Sequence, residues 1–167
     1  MALHARDQEI PRRQRVQQGA TGEGSMVVKK GYGNECSLMV AVRAPGYHTK
    51  PHAHESEQIN YVLEGEIWFF VEDRGFHCKQ GDFQRIPANK THWAWNRSDE
   101  NATVAEAHAP ALIGGRSGRE PLGSLMTAKL RWSAGQAKTS MFPTTRVPPR
   151  KSWGCEVYRL SPNLVRP

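Results

Sequence analysis

Between residues 37 and 108 the chain is cut into short segments, and that punctuation restricts its fold more than any other feature. Ser37 to Arg43, Gln58 to Leu63, Glu66 to Glu72, Phe83 to Ile86, His92 to Asn96 and Ala102 to His108 are rich in β-branched, aromatic or alternating residues, the composition of half-buried strands. Ala44-Pro45-Gly46, Glu64-Gly65, Asp73-Arg74-Gly75, Gly81-Asp82 and Pro87-Ala88-Asn89-Lys90 lie between them and supply turn chemistry. Few windows sustain a helical period. Short strands at near-regular spacing predict an all-β sandwich or barrel.

A length of 167 residues suits one domain with a real core and is too short for two ordinary ones with a linker. The ends do not share the strand pattern. We therefore expect an N-terminal arm over 1–24, a barrel over 25–112 and a basic, irregular C-terminal extension over 113–167. The net charge of +7 would raise the question of a nucleic-acid partner, yet ten Lys or Arg against two Glu fall from Arg116 onward, whereas residues 21–112 hold nine basic and twelve acidic groups. The excess belongs to the tail, so nucleic acid is not an expected partner of the barrel. Met1 to Gln18 has no apolar run of the kind a secretory signal needs, and no stretch approaches the roughly 20 apolar residues that span a bilayer. The expectation is a cytoplasmic protein with no membrane partner. Cys36, Cys78 and Cys155 are far apart and odd in number, which suggests buried free thiols rather than disulfides or a zinc knuckle.

The chemistry concentrates in Pro51-His52-Ala53-His54-Glu55-Ser56-Glu57-Gln58. Two histidines one residue apart fall on nearly opposite sides of a helix but on one face of a strand, so H-x-H is a strand-type pair. Gln58 has the same parity and opens an inward series with Asn60 and Val62. His92 begins another strand beyond the Pro87–Lys90 turn. Three imidazoles and one amide oxygen converging inside a barrel suit a first-row divalent ion with open positions. Alone, an H-x-H pair is more often a hydrogen-bonded surface or core pair than a ligand pair.

The surrounding frame changes that balance. Gly46, His52, His54, Gln58 and Gly65 resemble the first cupin motif, G-x5-H-x-H-x3,4-E-x6-G, and Gly81, Pro87, His92 and Asn96 resemble the second, G-x5-P-x-G-x2-H-x3-N. Gln58 stands where the pattern has Glu, and Asn89 where it has Gly. Asn tolerates a left-handed turn better than any residue but Gly. The resemblance, over roughly residues 25–112, implies a small single-domain cupin with a double-stranded β-helix, or jelly-roll, barrel. It also implies one divalent metal, Fe, Mn, Ni or Zn, held by His52, His54, Gln58 and His92, and a homodimer.

Glu106 and His108 end the last predicted strand, where Glu106 is a candidate general base and His108 reaches toward the barrel mouth; plain packing roles are the alternative for both. His77 is read as a surface or satisfied residue. By parity Trp93 and Trp95 face away from His92, toward packing rather than substrate. Replacing a ligating carboxylate by a neutral amide leaves the divalent charge undiminished, and the resemblance to cupins with Gln at this position implies Lewis-acid chemistry on a small carbonyl or hydroxy-acid substrate, of isomerase, lyase or cyclase type. The alternatives are an iron-dependent dioxygenase and a non-catalytic small-molecule binder.

Overall fold

The computed structural model describes residues 4–18, 22–112 and 156–159. Most of the expected C-terminal extension, Cys155 included, lies outside the described residues. Among the described residues there are eleven strands: β1 (Arg13–Gln17), β2 (Gly22–Tyr32), β3 (Ser37–Arg43), β4 (His48–Thr49), β5 (Glu57–Glu64), β6 (Glu66–Val71), β7 (Arg74–Lys79), β8 (Phe83–Ile86), β9 (His92–Trp95), β10 (Ala102–Ala109) and β11 (Glu156–Arg159). One short 3-10 turn, Asp7–Glu9, precedes them.

All pairings are antiparallel, in the order β11-β7-β6-β9-β4-β2-β3-β10-β5-β8 with β1 on β2. The long β2 belongs to both halves of the jelly roll: Gly22 and Glu23 pair with β4, while Met26 to Tyr32 pair with β3. This is the nearly closed, all-β barrel expected from the punctuation. Two segments of the expected extensions take part, since β1 lies within 1–24 and β11 within 113–167.

Strand alternation places the core. On β3 the inward residues are Ser37, Met39, Ala41 and Arg43; on β10 they are Ala102, Val104, Glu106 and His108. One end of the interior is dry, with Val62, Ile67, Phe69, Cys78, Ala94, Ala102 and Val104 packed together. The inward positions nearer the mouth are polar, and that end holds the candidate site. On the outer face of the larger half, Leu38, Ile59 and Phe83 remain 52%, 44% and 44% exposed.

The motif glycines and Asn96 act on the backbone. Gly65 has φ +73, and a Cβ there would sit 2.5 Å from the Asn101 carbonyl oxygen, so both conformation and space require glycine. Asn89 adopts φ 61 and its N–H donates to the His54 carbonyl at 2.8 Å, so the turn before β9 is tied to the first histidine pair. Asn96, fully buried, donates through Nδ2 to the carbonyls of Arg43 (3.0 Å) and Glu100 (2.7 Å), and its Oδ1 accepts from the N–H and hydroxyl of Ser98. Cys78 is buried in the core, but Cys36 is exposed. The expectation of buried thiols therefore fails at Cys36, which sits in the tight β2–β3 connection, where the Gly33 N–H donates to its carbonyl.

Candidate metal centre

His52 and His92 are brought together by main-chain pairing. The His52 N–H donates to the His92 carbonyl at 3.0 Å and the His92 N–H to the His52 carbonyl at 2.8 Å. Residues paired this way share a face, and the two rings lie 4.3 Å apart, centroid to centroid. His54 follows by strand parity, its ring 4.7 Å from His92 and 6.0 Å from His52. Among the described residues, the ligand atoms of His52, His54 and His92 lie within 4.8 Å of one another.

Each ring is braced by a main-chain carbonyl. Nδ1 of His52, His54 and His92 lies 2.8 Å from the carbonyl oxygens of Lys50, Ser56 and Lys90 respectively. A carbonyl oxygen can only accept, so Nδ1 carries the proton in each ring and Nε2 of the neutral imidazole presents a lone pair. This is the tautomer a metal-ligating histidine adopts when its other nitrogen donates outward. The His92 Nε2 is buried with no partner. Burial pushes the His52 pKa down, with smaller contributions from its neighbours. It takes His92 to about 3, helped by the charge His52 would carry. His52 and His92 are thus held neutral at pH 7, as ligands must be.

Gln58, on β5 directly opposite His108 on β10, places Oε1 3.1 Å from His54 Nε2. Both are acceptor atoms when His54 is neutral, and two acceptors turned toward each other suit a shared cation rather than a hydrogen bond. The donor set of three imidazole nitrogens and an amide oxygen therefore fits a divalent first-row ion.

His108 joins the cluster from β10, with its ring 5.4 Å from that of His54. Burial, with the neighbouring charged groups, lowers its pKa to about 4. Glu106 also points inward, but its carboxylate is taken by the Arg43 guanidinium, Nη2 to Oε1, with both residues buried. Arg43 keeps Nε and Nη1 buried and unpartnered, and its guanidinium lies 5.6 Å from the Tyr47 ring centroid. Sequence reasoning overlooked Arg43 and Gln84. Both sit at inward parity on predicted strands, and a polar residue at such a position is the signal that would have found them.

The remaining aromatic residues pack on the outside. Trp93 stacks on Phe70 at 4.8 Å, Trp95 lies under the Arg97 guanidinium, and His77 stacks on Trp68 with Nε2 3.3 Å from Glu66.

The cupin-domain family model matches residues 39–108. A 48-residue stretch, 26% of this chain, is 38% identical to the acireductone dioxygenase of Leptospira biflexa and covers 27% of that protein. The chain thus matches about a quarter of that relative's length. Among solved structures, an RmlC-like cupin from Shewanella frigidimarina is similar over 68% of this chain and 95% of its own, with 18% identity and a TM-score of 0.55. The polyketide cyclase RemF from Streptomyces resistomycificus is similar over 65% and 80%, with 17% identity and a TM-score of 0.54. At these identities the likeness is one of fold. The family match lies over the strands that carry the histidines, Gln58, Glu106 and most of the core, and within residues 39–108 the chain is similar to a cupin domain.

Proposed function

We propose that the protein binds one divalent metal ion through Nε2 of His52, His54 and His92 and Oε1 of Gln58, and acts on a small oxygenated molecule, a carbonyl compound or hydroxy acid, by isomerase, lyase or cyclase chemistry. The supporting observation is the set of three Nδ1 protons committed to carbonyls, which leaves three lone pairs aimed at one point. An ion held there supplies Lewis acidity that polarises a carbonyl or hydroxyl oxygen.

The chain's own residues divide the remaining work. Arg43, with two free donor nitrogens inside the barrel, binds a substrate oxygen or carboxylate. Glu106 balances the guanidinium charge and orients it, so we assign it to positioning rather than to proton transfer. His108, neutral at pH 7, hydrogen-bonds the substrate beside the histidine cluster. Fe, Mn, Ni and Zn all accept such a donor set. Elemental analysis of the protein purified without added metal should find about one divalent ion per chain, and metal-loaded protein should bind small hydroxy or keto acids without consuming oxygen. A metal-free protein that takes up no ion would refute the reading. Oxygen uptake with iron would favour a dioxygenase, the reading to which the acireductone dioxygenase match lends support. Tight ligand binding without turnover would favour a non-catalytic binder.

Three broader proposals accompany this one. The exposed outer-face residues Leu38, Ile59 and Phe83 suit a homodimer contact; light scattering should show a dimer that Ile59→Lys weakens, and a monomeric wild type would refute it. No described helix is long and apolar enough to cross a membrane, and the free, exposed thiol of Cys36 suits a cytoplasmic setting, which fractionation checks. The division into arm, barrel and extension predicts that deleting 113–167 removes β11 yet leaves cooperative unfolding; an insoluble product would refute it.

A further inference from the structure

A buried file of three side-chain amides runs from the histidine cluster to the edge strand β8. Gln58 Nε2 donates to Asn60 Oδ1 at 2.7 Å, Asn60 Nδ2 donates to Gln84 Oε1 at 2.6 Å, and Gln84 Nε2 donates to the Arg85 carbonyl at 2.8 Å. All three side chains belong to residues no more than 5% exposed. Asn60 and Gln84 are direct cross-strand partners, so the file is built into the register.

An amide has a donor end and an acceptor end, and a main-chain carbonyl only accepts. The last link can therefore be made in one sense only. Gln84 must turn its NH2 to Arg85, which leaves its oxygen for Asn60. Asn60 must then turn its NH2 to Gln84, which leaves its own oxygen for Gln58. Gln58 spends its NH2 on Asn60 and is left with Oε1 facing His54 Nε2, 3.1 Å away. Reversed, the Gln58 NH2 would donate to that nitrogen and occupy the lone pair. The local hydrogen bond that Gln58 and His54 would otherwise form is given up to keep both atoms as acceptors.

We propose that Asn60 and Gln84 are positioning residues that fix the polarity of the Gln58 amide, so that a neutral side chain presents oxygen, and never nitrogen, to a divalent cation. This rests on the metal reading above. It explains how an amide serves where a carboxylate, identical at both ends, needs no such control. The anchor of the file is the main chain of β8.

The test is Co2+ titration of the full-length chain by calorimetry, with the visible ligand-field spectrum as a second readout. Gln84→Glu accepts from Asn60 whether or not it is protonated, so it should bind Co2+ within about 3-fold of wild type or more tightly. Gln84→Lys only donates. It should turn Asn60 and then Gln58 around, weaken Co2+ by roughly 10-fold to 100-fold and change the spectrum. Its positive charge also repels the ion, and the Gln58→Glu background separates the two effects: a carboxylate presents oxygen to the cation in either sense, and a reversed Asn60 donates to its other oxygen, so the cost of Gln84→Lys should shrink to the Coulomb part, about 3-fold, or less. Gln84→Leu, which removes the anchor without charge, serves if the lysine variant does not fold, and should cost affinity in the wild-type background but not in the Gln58→Glu background. A wild type that binds no Co2+ overturns the metal reading and this proposal with it. A wild type that binds Co2+ while the position-84 variants cost the same in both backgrounds overturns the polarity proposal alone.

Discussion

Removing the Glu106 carboxylate should expose how much the barrel depends on it. Glu106 is 4% and Arg43 3% exposed, and the carboxylate is the guanidinium's hydrogen-bonded counter-charge. Burial alone pushes the Arg43 pKa down, an effect the Tyr47 side chain offsets in part. Glu106→Ala strands a guanidinium that already has Nε and Nη1 unpartnered. Breaking a buried pair on one side costs about 3–5 kcal/mol, and at roughly 2–4 °C per kcal/mol for a chain of this size the melting temperature should fall by about 10 °C. Replacing both partners with apolar residues is a different perturbation, because no orphaned charge remains. Arg43→Met/Glu106→Leu should lie within about 2 kcal/mol of wild type and be more stable than Glu106→Ala. Urea unfolding of metal-free protein, followed by tryptophan fluorescence with linear extrapolation, measures both. A Glu106→Ala loss below about 1 kcal/mol, or a double variant less stable than the single, would refute the assignment of Glu106 to charge balance. The double variant should also keep metal binding while losing acidic ligands, which separates the guanidinium's role from that of the ion.

Further expectations test the site and its frame. His52→Ala/His54→Ala should abolish stoichiometric metal binding, and full metal content in that variant on elemental analysis would remove both residues from the site. The folded pKa values of His92 and His108, about 3 and about 4, lie below their usual 6.5, so between these values the unfolded chain binds more protons. Stability of the metal-free protein should be at its plateau above about pH 7 and fall as pH drops from 6.5 toward 4, by up to about 1.4 kcal/mol per pH unit for each group. A urea midpoint unchanged between pH 7.5 and 5 would contradict the burial of these rings. Gly65→Ala meets the Asn101 carbonyl at 2.5 Å with φ +73 and should cost at least about 2 kcal/mol; a melting temperature equal to wild type would show that the turn relaxes.

Strand content was legible where side chains alternate. The bounds of β3 and β8 coincide with the predicted ones, those of β6, β9 and β10 differ by one residue at one end, and β5 is one residue longer at each end. β1 and β2 escaped for physical reasons. β1, RQRVQ, is exposed along most of its length, so no buried face imposes a pattern. β2, GEGSMVVKKGY, dilutes its apolar positions with glycine and lysine. A strand was expected around His77, but its bounds were not, because β7, RGFHCK, has no β-branched residue to mark them. These strands are defined by what they pair with, which local composition does not encode. Within the site, the histidine spacing fixes which rings meet, because parity is a local property. The partner of Glu106 was hidden: Arg43 closes an apolar strand next to a turn, where an arginine ordinarily reads as solvent-facing. The sense of the Gln58 amide is set by Arg85, through contacts across two strands, and no spacing rule reaches that far.

The clamp at Asn96 has a consequence for ligand size. By holding the Arg43 carbonyl and the 97–101 connection together, four residues beyond His92, it ties the end of β3 to the end of β9. The Arg43 guanidinium is held in turn by Glu106, so if it and a bound metal each take one oxygen function, the interior would work as a ruler. A molecule with one oxygen function at each end would be measured by length before it is read by chemistry, with a single extra methylene enough to break one of the two contacts. A dicarboxylate series graded by chain length, titrated into metal-loaded protein, should show one optimum that Asn96→Ala broadens; affinity rising steadily with length would mean that the two ends are not fixed.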